Sequence, residues 1–140
     1  MDPDLLEESF DLVAPRGEEL VETFYSRLFA AAPAVRPLFD AADMNEQRAK
    51  LLGTLVLLRK SLRDLDAIVP KLRELGARHV AYGAHAEHYP VVGQVLIATM
   101  AETAGDGWRP EYERAWGDAV EVVAGAMLEG AAAARLEGAA

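Results

Sequence analysis

The chain has 140 residues, which is enough for a single domain with a core and one buried ligand. It contains no cysteine, which excludes disulfides, thiol catalysis and thiolate metal sites. Its formal net charge of -9 disfavours nucleic-acid binding, because a negative surface repels phosphates. No apolar run is long enough to span a membrane and the first residues lack a signal-peptide pattern, so we expect a cytoplasmic protein.

The composition favours helices, since Ala and Leu predominate and no alternating strand pattern with tight turns occurs. Apolar periodicity predicts helices over residues 4–14, 18–32, 44–62, 65–79, 88–104 and from 110 onward. Pro33 and Pro37 predict a tight corner between the second and third of these helices. The alanine-rich end, about residues 131–140, is expected to fray. The chain is therefore predicted to be one all-α domain, and periodicity alone leaves open how its helices pack.

His79 ends an apolar stripe on the helix predicted over residues 65–79. Ile68, Leu72 and Leu75 precede it by eleven, seven and four positions, which places all four on one helical face. A histidine in this place is either a neutral core residue with a hydrogen bond or a ligand that presents a ring nitrogen to a metal. Taken alone, the pattern is more typical of the core residue.

Gln47 stands at the head of a second apolar stripe. It lies four residues before Leu51, eight before Leu55 and eleven before Leu58. A surface glutamine at the start of a helix is the simpler interpretation. If the amide instead faces a pocket, it offers both a donor and an acceptor to a bound diatomic molecule.

Tyr25 and Phe39 are two further candidates. Tyr25 lies on the inward row of its helix between Val21 and Phe29, and it is either a core tyrosine or a phenol that faces a bound ligand. Phe39 follows the two prolines of the corner, where it either packs simply or stacks on a flat cofactor. Each signal is weak by itself, and the order of the four residues along consecutive helices is stronger.

Six blocks of this sequence, taken in order, resemble the globins. The resemblance is strongest to the bacterial branch that includes single-domain bacterial haemoglobins and the globin domains of flavohaemoglobins. The blocks are TFYSRLF (23–29), PAVRPLF (33–39), MNEQRAKLL (44–52), LGARHVAYGA (75–84), HYPVVGQVL (88–96) and GDGWRPEYERAWGDA (105–119). The match spans about residues 5–130 and implies the globin fold, with helices packed around a buried haem.

The resemblance implies a role for each of the four candidates. His79 would be the axial ligand of a noncovalent haem b, which fits a chain without cysteine. Phe39 would pack on the porphyrin. Tyr25 and Gln47 would donate hydrogen bonds to bound O2, and Leu51 would keep the pocket dry.

Further positions match the haem surroundings of the family. Lys50 would pair with a haem propionate or remain solvated. Tyr89 matches a tyrosine that in flavohaemoglobins joins a network on the side of the axial histidine, and Tyr89 and Val92 are expected among the haem-binding residues. In flavohaemoglobins a glutamate on the last helix binds the axial histidine and makes it a stronger electron donor. Here that position falls on Ala131, so we expect His79 to donate to a backbone carbonyl instead, such as that of Leu75.

Other residues near the site receive simpler interpretations. Glu129 lies two residues from the family's glutamate position, on another side of the helix. We interpret His85 as an exposed loop residue, and His88 either touches a propionate or has a structural or solvent-facing role.

The resemblance favours a protein that reversibly binds O2, NO or CO, as an oxygen carrier or store or as a nitric oxide scavenger. The alternative is a nitric oxide dioxygenase. Because 140 residues leave no room for the flavin and NAD(P)H domain of flavohaemoglobins, its electrons would come from a separate flavin reductase. A haem-based gas sensor and a haem-free interaction domain are further hypotheses. The protein is expected to be a monomer, or a homodimer through its last two helices, where Gly130 and the alanine-rich end give a surface of small residues.

Overall fold

The computed structural model describes residues 2–139, with side chains described through residue 136. Within this range the chain forms six α-helices and no strand, which confirms the predicted all-α class. The helices are α1 (Pro3–Val13), α2 (Gly17–Ala31), α3 (Met44–Lys60), α4 (Val69–Ala81), α5 (His88–Ala104) and α6 (Pro110–Ala139). None of these described helices is long and apolar enough to cross a membrane.

The observed helix ends depart from the predicted ones mainly at α4. Residues Leu65–Ile68 form a 3-10 turn, and α4 begins only at Val69. Pro70 explains the difference, because a proline fits the first turn of a helix but has no N–H to continue a helix that began earlier. The predicted proline corner is also a 3-10 segment, Pro33–Phe39.

The last helix, α6, extends over most of the alanine-rich end of the chain. The structure extends α6 to Ala139, and Ala131 is only 2% exposed. Residue 140 of the predicted fraying segment lies outside the described residues.

A buried polar chain joins α1 to α6. Trp116 is fully buried, and its indole Nε1–H donates to the Ser9 hydroxyl at 2.7 Å. The Ser9 hydroxyl in turn donates to the carbonyl of Leu5 at 2.7 Å, so none of these buried polar groups lacks a partner. The periodicity of the sequence does not predict this role for Ser9, because a single serine on the apolar face of a helix is common.

Two glycines bring the backbones of α4 and α6 into contact. Gly76 of α4 lies against the backbone of Met127, and Gly130 of α6 lies against the backbone of Arg73. A Cβ atom at either glycine would overlap a carbonyl oxygen of the other helix. Gly130 itself therefore packs on α4 of the same chain and is not part of an exposed small-residue surface.

The contact between α5 and α6 is close in another way. Gly93 of α5 lies under the side chain of Val120, so that a Cβ atom added there would come within 2.6 Å of Val120 Cγ1. Here a side chain of α6 fills the space over the glycine, whereas at Gly76 and Gly130 backbone does so.

Helix α3 is attached to the rest of the fold along α2 and α1. Near its end, Arg59 donates to both carboxylate oxygens of Asp11, at 3.1 Å each, and to Glu7 at 3.2 Å. Among the described residues, α3 makes no extensive contact with α4, α5 or α6. The beginning of α3 therefore lies apart from α4.

We expect Gly130→Ala to lower the free energy of unfolding by about 1–3 kcal/mol or more, because the new methyl group forces two backbones apart. Gly125→Ala, on the same helix with open space around it, is the matched control. It is expected to stabilise the protein by about 0.5–1 kcal/mol, since alanine favours the helix interior. Urea unfolding measures both, and equal values for the two variants would contradict the close crossing.

Candidate functional site

Tyr25 of α2 and Gln47 of α3 meet although they lie 22 positions apart. The side-chain amide of Gln47 donates to the Tyr25 hydroxyl oxygen at 3.1 Å. Tyr25 is only 6% exposed. Burial raises the pKa of the Tyr25 phenol, and the hydrogen bond from Gln47 opposes this shift. The phenol therefore keeps its proton at neutral pH and can donate it in a hydrogen bond.

Three phenylalanine rings surround the Tyr25 ring, and together these four residues form what we call the Tyr25 cluster. The Phe24 and Phe39 rings meet it edge-on, with centroids 5.0 and 5.6 Å away. Phe29 lies 6.0 Å from Tyr25 and 5.3 Å from Phe39. The proline corner thus carries Phe39 to the same place as the phenol.

His79 lies near the end of α4 and is half-buried, and one nitrogen of its ring forms a hydrogen bond. Its Nδ1–H donates to the carbonyl of Leu75 at 2.7 Å, because a carbonyl can only accept. Burial lowers the pKa of the His79 imidazole, the bond to Leu75 opposes this, and the charge of Arg78 lowers it further. The ring is therefore neutral at pH 7, and its Nε2 carries the lone pair that a metal requires.

The carboxylate nearest in sequence to the family's glutamate position does not reach His79. Glu129 is exposed and forms an ion pair with Arg73, with Arg73 Nη2 2.9 Å from its Oε2. Ala131, which stands at the glutamate position, is buried. The hydrogen bond of His79 to Leu75 is the carbonyl interaction that the sequence predicts.

The remaining candidate residues lie on α3 and α5. Leu51 is half-buried one turn after Gln47, and Lys50 beside it is exposed. Tyr89 is half-buried, and burial raises the pKa of its hydroxyl while the nearby Arg135 lowers it. Val92 lies one turn further along α5 and is 36% exposed.

The two other histidines lie together, His85 in the turn before α5 and His88 at the first position of α5. His85 is exposed, as expected, and its backbone N–H donates to His88 Nδ1 at 3.0 Å. The backbone N–H of His88 returns a hydrogen bond to the His85 carbonyl, also at 3.0 Å. These reciprocal bonds close the turn, which favours the structural role for His88.

Sequence reasoning gave no role to Arg36, which lies next to the Tyr25 cluster. Its guanidinium carbon is 4.8 Å from the centroid of the Phe29 ring. The PAVRPLF block contains this arginine, but an arginine in a polar corner carries no signal that tells a stacked side chain from a solvated one.

Burial decreases toward the ends of the helices that carry the candidate residues. Along the stripe of α3, Leu58 and Leu55 are buried, whereas Leu51 and Gln47 are half-buried. The same decrease occurs toward His79 on α4 and toward Tyr89 on α5. Apolar side chains are thus left partly uncovered near the beginning of α3, near the end of α4 and near the beginning of α5.

This arrangement fits a haem. No hydrogen bond or ring contact among the described residues links His79 to the Tyr25 cluster, so the structure provides two separate sets of side chains. One set offers a neutral imidazole nitrogen, and the other offers a hydroxyl, an amide and aromatic surface. A noncovalently bound haem would take the imidazole nitrogen as a ligand to its metal and would offer its apolar ring to the aromatic surface.

Curated relatives of this chain are flavohaemoproteins. A flavohaemoprotein of Bacillus subtilis is 26% identical over 127 residues, which is 89% of this chain and 32% of the relative. One of Rhodopirellula baltica is 30% identical over 122 residues, covering 86% of this chain and 30% of the relative. The chain therefore spans about a third of the length of the curated relatives it matches.

Solved structures with the same fold include two from bacteria. A bacterial globin from Campylobacter jejuni superposes with a TM-score of 0.80 and 22% identity, over 92% of this chain and 93% of that one. An engineered carbene transferase from Rhodothermus marinus gives a TM-score of 0.88 with 23% identity, over 99% and 96% of the two chains. These likenesses confirm the globin fold that the sequence predicts.

The family model described as Globin matches residues 22–127. This range includes α3, α4 and α5 completely, and with them Tyr25, Gln47 and His79. Since it covers more than half of the sequence, the chain belongs to the globin family.

Proposed function

We propose that this chain binds haem b noncovalently and reversibly holds a diatomic gas, O2 in the first place, as a carrier, store or scavenger. The hydrogen bond between Gln47 and Tyr25 carries this proposal. Because the phenol oxygen already accepts from the amide, the hydroxyl hydrogen is left to donate to a ligand. Membership of the globin family and the flavohaemoprotein relatives support it.

The residues of both sets have defined tasks in this proposal. His79 would bind the metal through Nε2, with the Leu75 carbonyl holding the ring in orientation. Phe39 and Leu51 would pack on the cofactor, Tyr89 and Val92 would contact it from α5, and Lys50 would pair with a propionate. When bound, haem supplies an iron atom that takes up O2, NO or CO.

Tyr25 and Gln47 have unequal tasks. The Tyr25 hydroxyl would donate directly to the ligand. The side-chain amide of Gln47 donates to the phenol oxygen and so holds the hydroxyl in position. Bound O2 carries partial negative charge, and a hydrogen bond to a charged acceptor contributes about 1.5–3 kcal/mol. The buried surroundings strengthen this bond, because little water competes for the donor.

A nitric oxide dioxygenase that works with a separate flavin reductase is the second candidate. It is favoured by the relatives, which are flavohaemoproteins about three times as long as this chain. The ion pair of Glu129 with Arg73 disfavours this candidate. Because the Glu129 carboxylate binds Arg73, it does not bind His79 and cannot make the imidazole a stronger electron donor.

Nitrate formation from nitric oxide distinguishes the two candidates. A carrier or scavenger is expected to convert about one nitric oxide for each bound O2 and then stop. Sustained nitrate formation over many turnovers, with O2, NADH and a flavin reductase present, would establish the enzyme instead.

His79→Ala is expected to abolish the Soret band of the purified protein, because it removes the nitrogen that would bind the iron. Absorption spectra of the ferrous protein with and without CO measure this. His85→Ala, which changes an exposed histidine, is the matched control and should keep the full band. A His79→Ala protein that retains the ferrous and CO spectra of the unchanged chain would disprove axial ligation by His79.

Tyr25→Phe is expected to raise the O2 dissociation rate by about ten- to a hundredfold, since it removes the donor and keeps the ring. Gln47→Leu is expected to raise the rate less, because the phenol remains and only its orientation is loosened. Stopped-flow displacement of O2 by CO provides the rates. A dissociation rate that Tyr25→Phe leaves unchanged would contradict the direct hydrogen bond.

A further inference from the structure

The direction of the Tyr25 O–H bond depends on how the Tyr25 ring is held. The hydrogen bond from Gln47 fixes the oxygen from one side, and the rings of the Tyr25 cluster fix the plane of the phenol. Phe29 contacts both Tyr25 and Phe39, with ring centroids 6.0 and 5.3 Å away. A movement of the Phe29 ring therefore changes the packing of both the Tyr25 ring and the Phe39 ring.

Phe29 is only half-buried, and Arg36 covers one face of its ring. The guanidinium carbon lies 4.8 Å from the ring centroid, which is within the range of a cation–π interaction. A planar guanidinium covers an aromatic face better than a compact ammonium does. The Arg36 guanidinium therefore covers the solvent-facing side of the Phe29 ring and restricts its movement.

The position of Arg36 is restricted by its surroundings. It lies within the Pro33–Phe39 segment between two prolines, whose rings fix the backbone dihedral φ. Its Nη1 also lies 4.0 Å from Asp40 Oδ1. An otherwise flexible side chain is thus placed over Phe29 by a stiff piece of backbone.

We propose that Arg36 is a positioning residue for the Tyr25 hydroxyl and acts through the ring of Phe29. This inference rests on the proposed function, since the direction of the hydroxyl matters for a ligand held beside it. Without Arg36, Phe29 gains freedom at the surface, the Tyr25 ring loosens, and the hydroxyl spends less time in the donating direction.

Arg36→Gln tests this, with Arg109→Gln as the matched control. Both arginines are 51% exposed, both form ion pairs, and Arg109 lies 4.6 Å over the ring of Tyr112, away from the site. Arg36→Gln is expected to raise the O2 dissociation rate about two- to fivefold, whereas Arg109→Gln leaves it unchanged. Equal rates for the two variants would overturn the proposal.

Two further variants distinguish an effect of Arg36 that acts through Phe29 from an effect of its ion pair with Asp40. Asp40→Asn removes the ion pair and leaves the stacking, so it is expected to keep the rate of the unchanged protein. An Asp40→Asn rate as high as that of Arg36→Gln would assign the effect to the ion pair and overturn the route through Phe29. In a Tyr25→Phe background, Arg36→Gln is expected to add nothing, because the hydroxyl it positions is gone.

Ring flipping of Tyr25 tests the inference without haem. In NMR of the haem-free protein labelled with 13C in its tyrosine rings, Arg36→Gln is expected to speed Tyr25 flipping by about twofold or more, and Arg109→Gln is not. An unchanged flipping rate overturns the inference. Faster flipping in a protein that shows no Soret band would refute the proposed function and leave the coupling of Arg36 to Tyr25 standing.

Discussion

The crossing of α4 and α6 determines where His79 lies. Gly76 and Gly130 let the two helices approach until backbone touches backbone, and His79 follows Gly76 by three residues. Because atoms of the main chain are in contact, α4 cannot slide or roll on α6 without a clash. The proposed metal ligand thus lies within one turn of the point at which α4 touches α6.

The other side of the site is held in a different manner. Tyr25 and Gln47 come from helices that pack along each other, and their positions depend on aromatic contacts and one hydrogen bond rather than on backbone contact. Helix α3 is attached firmly at its end, where Arg59 binds α1, and its beginning lies apart from α4. The two sides of the candidate site are therefore held in different ways, α4 by backbone contact with α6, and α3 by packing on α2 and by ion pairs to α1.

The sequence carries enough information for the helices and for the residues that face inward. Tyr25, Gln47 and His79 each occupy an apolar face that periodicity reveals, and the family resemblance assigns them to one site. Other features depend on how helices lie against each other, which no single segment encodes. Gly130 looks like part of a small-residue surface until α4 is seen against it, and Arg36 looks solvated until Phe29 is seen beneath it. Ser9 is equally inconspicuous until Trp116 reaches it.

The glycines of this fold differ in how an unfavourable substitution at each could be compensated. A larger residue at Gly93 would collide with the side chain of Val120, and a smaller residue at position 120 could restore the fit. At Gly76 and Gly130 the collision is with main-chain atoms, which every amino acid possesses. No second-site change of a contacting side chain can act as a suppressor there, so these two positions are closed to the paired substitutions by which protein cores usually diverge.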